Sequence, residues 1–215
     1  MKNIKIIIFD ADGTIFDSMP ATAKIFADVL EKYGIPRSES ESYMYSTAGT
    51  PVEDLFNSML KKYNKPVNKM QKIIRQFFDL LERDNPVIYN GTITTLKKLK
   101  KYRKIVSTNL RQNILNVRIK HHGLDKYLDN YFGTNGFKSK EEHFGKIKRI
   151  YRLSNKEFSK KVVLVGDGKK DMEFARKYKI LGIGKLGSTD AKTLKQAGAS
   201  YVVNNLSEII KILKN

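Results

Sequence analysis

The chain has no cysteine. That excludes disulfides, thiolate metal sites and cysteine nucleophiles, and it leaves any metal to oxygen ligands or to the three histidines. An apolar run of membrane-spanning length is also missing, and MKNIKIIIFD reaches an aspartate too soon for a signal peptide. A cytoplasmic protein without a membrane partner is expected. Internal repeats and low-complexity linkers are absent as well. Acidic residues are outnumbered, 22 Asp and Glu against 41 Lys and Arg, giving a formal net charge of +19. Such a surface attracts nucleic acid, anionic membranes and phosphorylated metabolites alike, so it does not choose a partner. Lysines are spread along the whole chain with no compact arginine and aromatic cluster, which favours a solvated lysine-rich surface over a polyanion groove. The 215 residues, 40% of them hydrophobic, suffice for one sizeable domain or a domain with a modest insert.

What is present begins with IIIFDADGTIFDS, Ile6 to Ser18. Ile6, Ile7, Ile8 and Phe9 form an unbroken β-favouring run, as in a strand covered on both faces of a parallel sheet. It delivers Asp10 and Asp12 to the carboxyl end of that strand, where open α/β sheets bind ligands. Two carboxylates there repel each other unless a cation or proton intervenes, which points to a metal-assisted site.

The periodicity then changes twice. Ile25, Phe26, Val29, Leu30 and Tyr33 recur at helical spacing up to Gly34 and Pro36. Thr50-Pro51-Val52-Glu53 has the capping-box pattern with proline at the first helical position. It predicts a helix with Val52, Leu55, Phe56, Met59, Leu60 and Tyr63 on its apolar face. Met70, Ile73, Ile74, Phe77, Phe78 and Leu81 mark a third helix. From Gly91 onward helices alternate with strand-like runs at Lys104 to Ser107, Tyr131 to Gly133, Val162 to Val165, Ile180 to Ile183 and Tyr201 to Val203, the pattern of a parallel α/β sheet. The helical block would sit as a lid over the aspartates.

A second acidic pair, Asp167 and Asp171, lies at the end of VVLVGDGKKD. In a doubly wound sheet the first and fourth strands are neighbours at the switch point, which brings Asp10 and Asp167 together. Converging carboxylates suit Mg²⁺, a hard cation that takes oxygen ligands. The second strand ends with Ser107, Thr108 and Asn109, and GFKSKEEHF offers Lys138 and Lys140 near the third. Cation, hydroxyl and ammonium together make a receptacle for a phosphoryl group.

These four motifs, DxDGT at Asp10 to Thr14, the strand ending in Thr108, a lysine before a helix and GDxxxD at Gly166 to Asp171, resemble those of haloacid dehalogenase superfamily phosphatases. The helical insert is similar to the small cap of the phosphoglycolate phosphatase and β-phosphoglucomutase branch. The resemblance implies a Rossmann-like core at residues 1–16 and 91–215 with an α-helical cap at 17–90. It implies Asp10 as a nucleophile forming an aspartyl-phosphate, and Asp12 as the acid that protonates the leaving oxygen and then activates water. Mg²⁺ would be held by Asp10, the backbone carbonyl of Asp12, Asp167 and, mainly through water, Asp171. Thr108 and Asn109 would bind phosphate with a lysine. Relatives commonly have proline after that lysine, whereas Ser139 follows Lys138; counting back from the helix of Phe144, Ile147 and Ile150 favours Lys138, then Lys140, then Lys146. The loop Tyr45 to Thr50, with Gly49 and Thr50, is the candidate for substrate selection, though a plain interhelical loop accounts for it nearly as well.

The expected activity is Mg²⁺-dependent hydrolysis of a small phosphate monoester. A phosphomutase, or a phosphatase acting on nucleotides or nucleic-acid ends, is the alternative; the charge permits a nucleic-acid partner without favouring one. Dehalogenation does not need the acid Asp12. Gly182-Ile183-Gly184-Lys185-Leu186-Gly187 matches G-x-G-x-x-G but follows a late strand, so a dinucleotide site is not expected. His121-His122 reads as favourable charge at a helix C-terminus rather than a ligand pair.

Overall fold

In the computed structural model, which describes residues 3–47, 50–134 and 140–214, the apolar run is strand β1 (Ile6–Phe9). The helices α1 (Met19–Glu31), α2 (Arg37–Ser46), α3 (Val52–Lys62) and α4 (Met70–Leu81) follow. Alternation then sets in with α5 (Thr92–Lys98), β2 (Arg103–Ser107), α6 (Gln112–His121), β3 (Asn130–Phe132), α7 (Glu142–Ile150) and α8 (Asn155–Lys161). The chain ends with β4 (Val162–Gly166), α9 (Lys169–Lys177), β5 (Leu181–Lys185), α10 (Ala191–Ala197), β6 (Tyr201–Val203) and α11 (Ile209–Lys214). The strands pair in parallel in the order β3-β2-β1-β4-β5-β6. No helix among the described residues is long and apolar enough to cross a membrane.

The unbroken run of β1 is explained by burial on both faces. Ile7 and Phe9 pack with Val106, Val163 and Val165 under Phe26 of α1, Leu96 of α5, Ile114 of α6 and Leu213 of α11. Ile6 and Ile8 pack with Ile105, Val162 and Leu164 against Phe144 of α7, Phe158 of α8 and Ala175 of α9. Each such side chain removed from water contributes roughly 1.5–3 kcal/mol. Phe9 lies opposite Val106 and Val165, so the chain leaves β1 between the tips of β2 and β4, at the switch point.

The helical block has an aromatic centre. Phe26 of α1 packs at a tilt of 45° against Phe56 of α3, 4.7 Å between ring centroids, and Phe77 of α4 meets Phe56 edge-on at 5.4 Å. Edge-to-face pairs of this kind add about 0.5–1.5 kcal/mol beyond area burial. The two connections of the block lie side by side. Asp17 N donates to Val87 O at 2.8 Å, Tyr89 N donates to Ile15 O at 3.0 Å, and Phe16 pairs antiparallel with Ile88.

Two local expectations change. RSESESYMYS shows no broad apolar stripe, yet it forms α2, which takes in Tyr45 and Ser46 of the expected Tyr45 to Thr50 loop and buries only Ser40 and Met44. Their i, i+4 spacing makes a narrow seam, and Arg37 ties the helix to Asp28 of α1 while pairing within the helix with Glu41 at 3.1 Å. The capping box at Thr50 does not form: α3 begins after Pro51, and no side chain caps it. The Pro51 carbonyl instead accepts from Asp54 N and Leu55 N at 3.1 and 3.2 Å.

Candidate active site

Asp10 continues the ladder beyond β1, its N–H donating to Val165 O of β4 at 2.8 Å. The chain then folds back sharply: Ala11 O accepts from Ile15 N at 2.8 Å and Phe16 N at 2.9 Å. Gly13 makes this turn at φ +71°, and a Cβ there would lie 2.1 Å from Asp167 Oδ2. Glycine is thus required twice, by the left-handed backbone and by the approach of a carboxylate. Asp167, just past β4, accepts from Thr14 Oγ1 at 3.2 Å and from Ser188 Oγ. Asp171, in the first turn of α9, accepts from Gly168 N at 3.2 Å.

Asp10, Asp167 and Asp171 are all buried and offer carboxylate oxygens within 4.8 Å of one another. Between them reaches Lys140, its Nζ 2.8 Å from Asp10 Oδ1 and 2.6 Å from Asp171 Oδ1. Burial raises the Asp10 carboxyl well above the ordinary range; Lys140 opposes this, and Asp171 and Asp167 add to it. Asp167 is likewise raised, by burial first, with Ser188 opposing and Asp171 adding. Burial alone would depress the Lys140 ammonium, but Asp10 and Asp171 outweigh it and hold it above an ordinary lysine. One ammonium among three carboxylates leaves negative charge uncompensated, and an all-oxygen donor set fits a hard divalent cation such as Mg²⁺.

The expected site residues fall as follows. Thr108 is buried beside the cluster and lines the same cavity, its N–H donating to Phe132 O at 3.1 Å and its Oγ1 accepting from Leu110 N at 3.2 Å. It does not cap α6, whose N-cap is Arg111. Asn109 also lines the cavity, and its Oδ1 accepts from Lys140 N at 2.9 Å, which fixes the turn carrying that lysine. Lys138 and Gly49 lie outside the described residues. Lys146 belongs to α7, with its ammonium 4.7 Å from the Phe132 ring centroid. Thr50 lines the cavity from the helical side. The Asp12 side chain turns away from the other three carboxylates, its Oδ1 accepting from Ser18 Oγ and, at 2.8 Å, from Arg118 Nη1.

Three buried groups escaped sequence reasoning. Arg118, on α6, has no exposed surface and joins Asp12 to Asp84 Oδ2, 3.5 Å from Nη2. Lys185 donates to Gly13 O at 3.0 Å and Leu186 O at 3.1 Å, with Nζ 3.6 Å from the Tyr89 ring centroid. His143 sits fully buried behind Lys140. Gly133 O can only accept, so His143 Nε2 donates to it at 3.0 Å, and Nδ1 takes the Ser107 hydroxyl at 2.9 Å. A signal existed for two of them. Arg118 continues the period of Ile114 and Leu115, and His143 that of Phe144 and Ile147, so both lie on buried helix faces.

Burial pushes the His143 imidazole down to about 4. The unfolded chain therefore binds a proton near pH 6.5 that the folded chain refuses until about pH 4, and stability is lost as pH falls through that window. The full loss is about 3 kcal/mol. Urea unfolding at pH 7 and pH 4.5 should show a drop that shrinks in His143→Gln; an equal drop in both would remove His143 as its source.

Gly182 and Gly184 lie inside β5 rather than at a strand-to-helix turn, and a Cβ on Gly184 would meet Leu194 Cδ1 at 3.0 Å. His121 ends α6, and His122 Nε2 donates to Pro86 O at 2.9 Å beside the Phe16 ring.

Asp10 and Asp167 of the cluster, with Lys140, line the floor of an open-mouthed cavity whose opposite wall is built by α1, α2, α3 and α4 together with Thr47 and Thr50. The chain is 29% identical to a phosphorylated carbohydrates phosphatase of Thermotoga maritima, over 98% of this chain and 99% of that one. It is 21% identical to a phosphoglycolate phosphatase of Vibrio parahaemolyticus, over 99% and 97%. A crystal structure of a predicted phosphatase from Clostridium acetobutylicum superposes with a TM-score of 0.84 at 24% identity, covering 100% of both chains, which shows a shared fold. The family model for haloacid dehalogenase-like hydrolases matches residues 7–184, from β1 to β5, and thereby takes in every carboxylate of the cluster: the chain belongs to that family.

Proposed function

We propose that the chain is a Mg²⁺-dependent phosphomonoester hydrolase acting on a small phosphorylated metabolite through an aspartyl-phosphate on Asp10. The observation that carries this reading is the buried set of Asp10, Asp167, Asp171 and Lys140, of which Asp10, Asp167 and Lys140 line the floor of a cavity open to solvent. The names of the similar phosphatases support it. Asp10, Asp167 and Asp171 would hold the cation, with the Asp12 carbonyl as a further ligand. Bound there, Mg²⁺ supplies charge neutralisation for the phosphate oxygens. Lys140 contributes fixed positive charge beside Asp10, and the Thr108 hydroxyl orients the phosphoryl group. Asp10 Oδ attacks phosphorus as the ester oxygen leaves. Asp12 gives that oxygen its proton, then takes one from the water that opens the acyl-phosphate.

Residues 17–90 act in this reading as a cap that closes over a core of residues 1–16 and 91–215, excludes water and contacts the non-reacting part of the substrate. Purified protein with Mg²⁺ should release inorganic phosphate from one or more members of a panel of phosphorylated metabolites, and EDTA should reduce that rate at least about a hundredfold. Turnover that survives exhaustive chelation would remove the metal from the mechanism. Conversion of a sugar phosphate to its isomer without phosphate release would replace the hydrolase by a mutase.

A further inference from the structure

The cavity is sharply divided in character. Its floor holds Asp10, Asp12, Asp167 and Lys140, whereas the wall facing them is Met19, Met44, Val52, Leu55, Phe77 and Leu81, interrupted by Thr22, Thr47 and Thr50. Among the described residues, no charged side chain lines that wall, in a chain whose formal charge is +19. The excess of lysine among the described residues therefore does not reach the wall against which the leaving group would lie. A carboxylate or second phosphate held against this wall would lose its water without gaining a counter-charge.

One polar group on the wall is unspent. Thr22 is 6% exposed, and its Oγ1 is buried without any hydrogen-bond partner. Buried hydroxyls are nearly always satisfied, so a lone one in a residue of the cavity wall is a group that a change of χ1 rotamer would offer to a ligand. Thr47 differs, since its Oγ1 already donates to Tyr43 O.

Resting on the phosphatase reading above, we infer that the substrate is the phosphate monoester of a small uncharged alcohol, with an apolar face against α3 and α4 and a further hydroxyl that pairs with Thr22. Phosphoglycolate, whose leaving group bears a carboxylate, is then a poor substrate for this chain despite the names of its relatives. The selection lies in the wall, and the floor is indifferent to what carries the phosphate.

The test compares two phosphate esters of equal length, 2-hydroxyethyl phosphate and 2-phosphoglycolate, with propyl phosphate as the hydroxyl-free control and acetyl phosphate as a generic donor. The expected kcat/KM favours 2-hydroxyethyl phosphate over 2-phosphoglycolate by at least about tenfold. Thr22→Val, an isosteric change, should lower the ratio of 2-hydroxyethyl to propyl phosphate turnover about tenfold. Val52→Arg, at a partly exposed wall position, should shift the preference toward 2-phosphoglycolate. Equal rates on the first pair, or a preference for 2-phosphoglycolate, overturn the inference while acetyl phosphate turnover leaves the phosphatase reading standing. An unchanged ratio in Thr22→Val removes the hydroxyl contact. If not even acetyl phosphate is hydrolysed with Mg²⁺ present, the phosphatase reading fails and this inference fails with it.

Discussion

Asp10→Asn is expected to lower turnover by at least about 10³-fold while the protein remains folded. An amide can neither attack phosphorus as an anion nor balance the charge of a divalent cation. The fold should survive because the Asp10 carboxylate is a burden in the free protein. Burial raises its pKa well above the ordinary range, so its ionised form is disfavoured in the folded state relative to the unfolded one. For a carboxyl shifted in this direction, stability is greatest at low pH and declines as pH rises through the unfolded pKa toward the folded one. The neutral amide avoids that loss, and Lys140 keeps Asp171 as a partner 2.6 Å away. Thermal melts in EDTA at pH 7.5 should therefore place the variant at or above the parent Tm. A folded Asp10→Asn protein with parental activity would falsify the nucleophile assignment.

Lys140→Met should carry a double cost. Its ammonium is buried between Asp10 and Asp171, and removing one member of a buried ionic group costs about 3–5 kcal/mol. Turnover should fall by about 10²–10³, the range seen when one preorganised charge-stabilising group is lost. The stability loss should be larger in EDTA than in Mg²⁺, since a divalent cation supplies part of the missing charge. Urea unfolding in the two buffers, read beside steady-state rates, makes the comparison. Equal stability of parent and variant in EDTA would mean that Lys140 is not the counter-charge of the cluster.

The meeting of the carboxylates was legible because two independent signals coincide there. Ile6 to Phe9 and Val162 to Val165 read as doubly buried strands, and each run ends in an acidic pair. The parallel order of the sheet then brings Asp10 and Asp167 together. The choice of lysine depended on where α7 begins. Lys138 and Lys140 both precede it, and helix ends cannot be read from sequence to within two residues. Helix α2 was missed because a seam of Ser40 and Met44 is too narrow to register as amphipathic. Arg118 and His143 carry the periodicity of buried helix faces, but their chemistry argues for solvent. Only the partners Asp12, Asp84, Ser107 and Gly133 O, distant in sequence, make their burial tolerable. The wall of the cavity was hardest to read, since Met19, Met44, Leu55 and Phe77 come from four different helices.

The paired connections of the helical block bear on how such a chain can change over evolutionary time. Asp17 and Val87 face each other across a 2.8 Å hydrogen bond, Tyr89 O–H reaches Asp17 at 3.1 Å, and Lys185 packs on the Tyr89 ring from the end of β5. To the sheet, everything between those residues is a closed loop whose two ends are already joined. The entropy of closing a loop grows only with the logarithm of its length, so doubling the inserted segment costs about 0.6 kcal/mol. Whole turns of helix, and with them the cavity wall, can be gained, lost or exchanged at this point without moving Asp10, Asp167 or Lys140. The clasp turns the tip of β1 into a socket: the buried carboxylates stay with the sheet, and the wall that faces them belongs to an exchangeable insert.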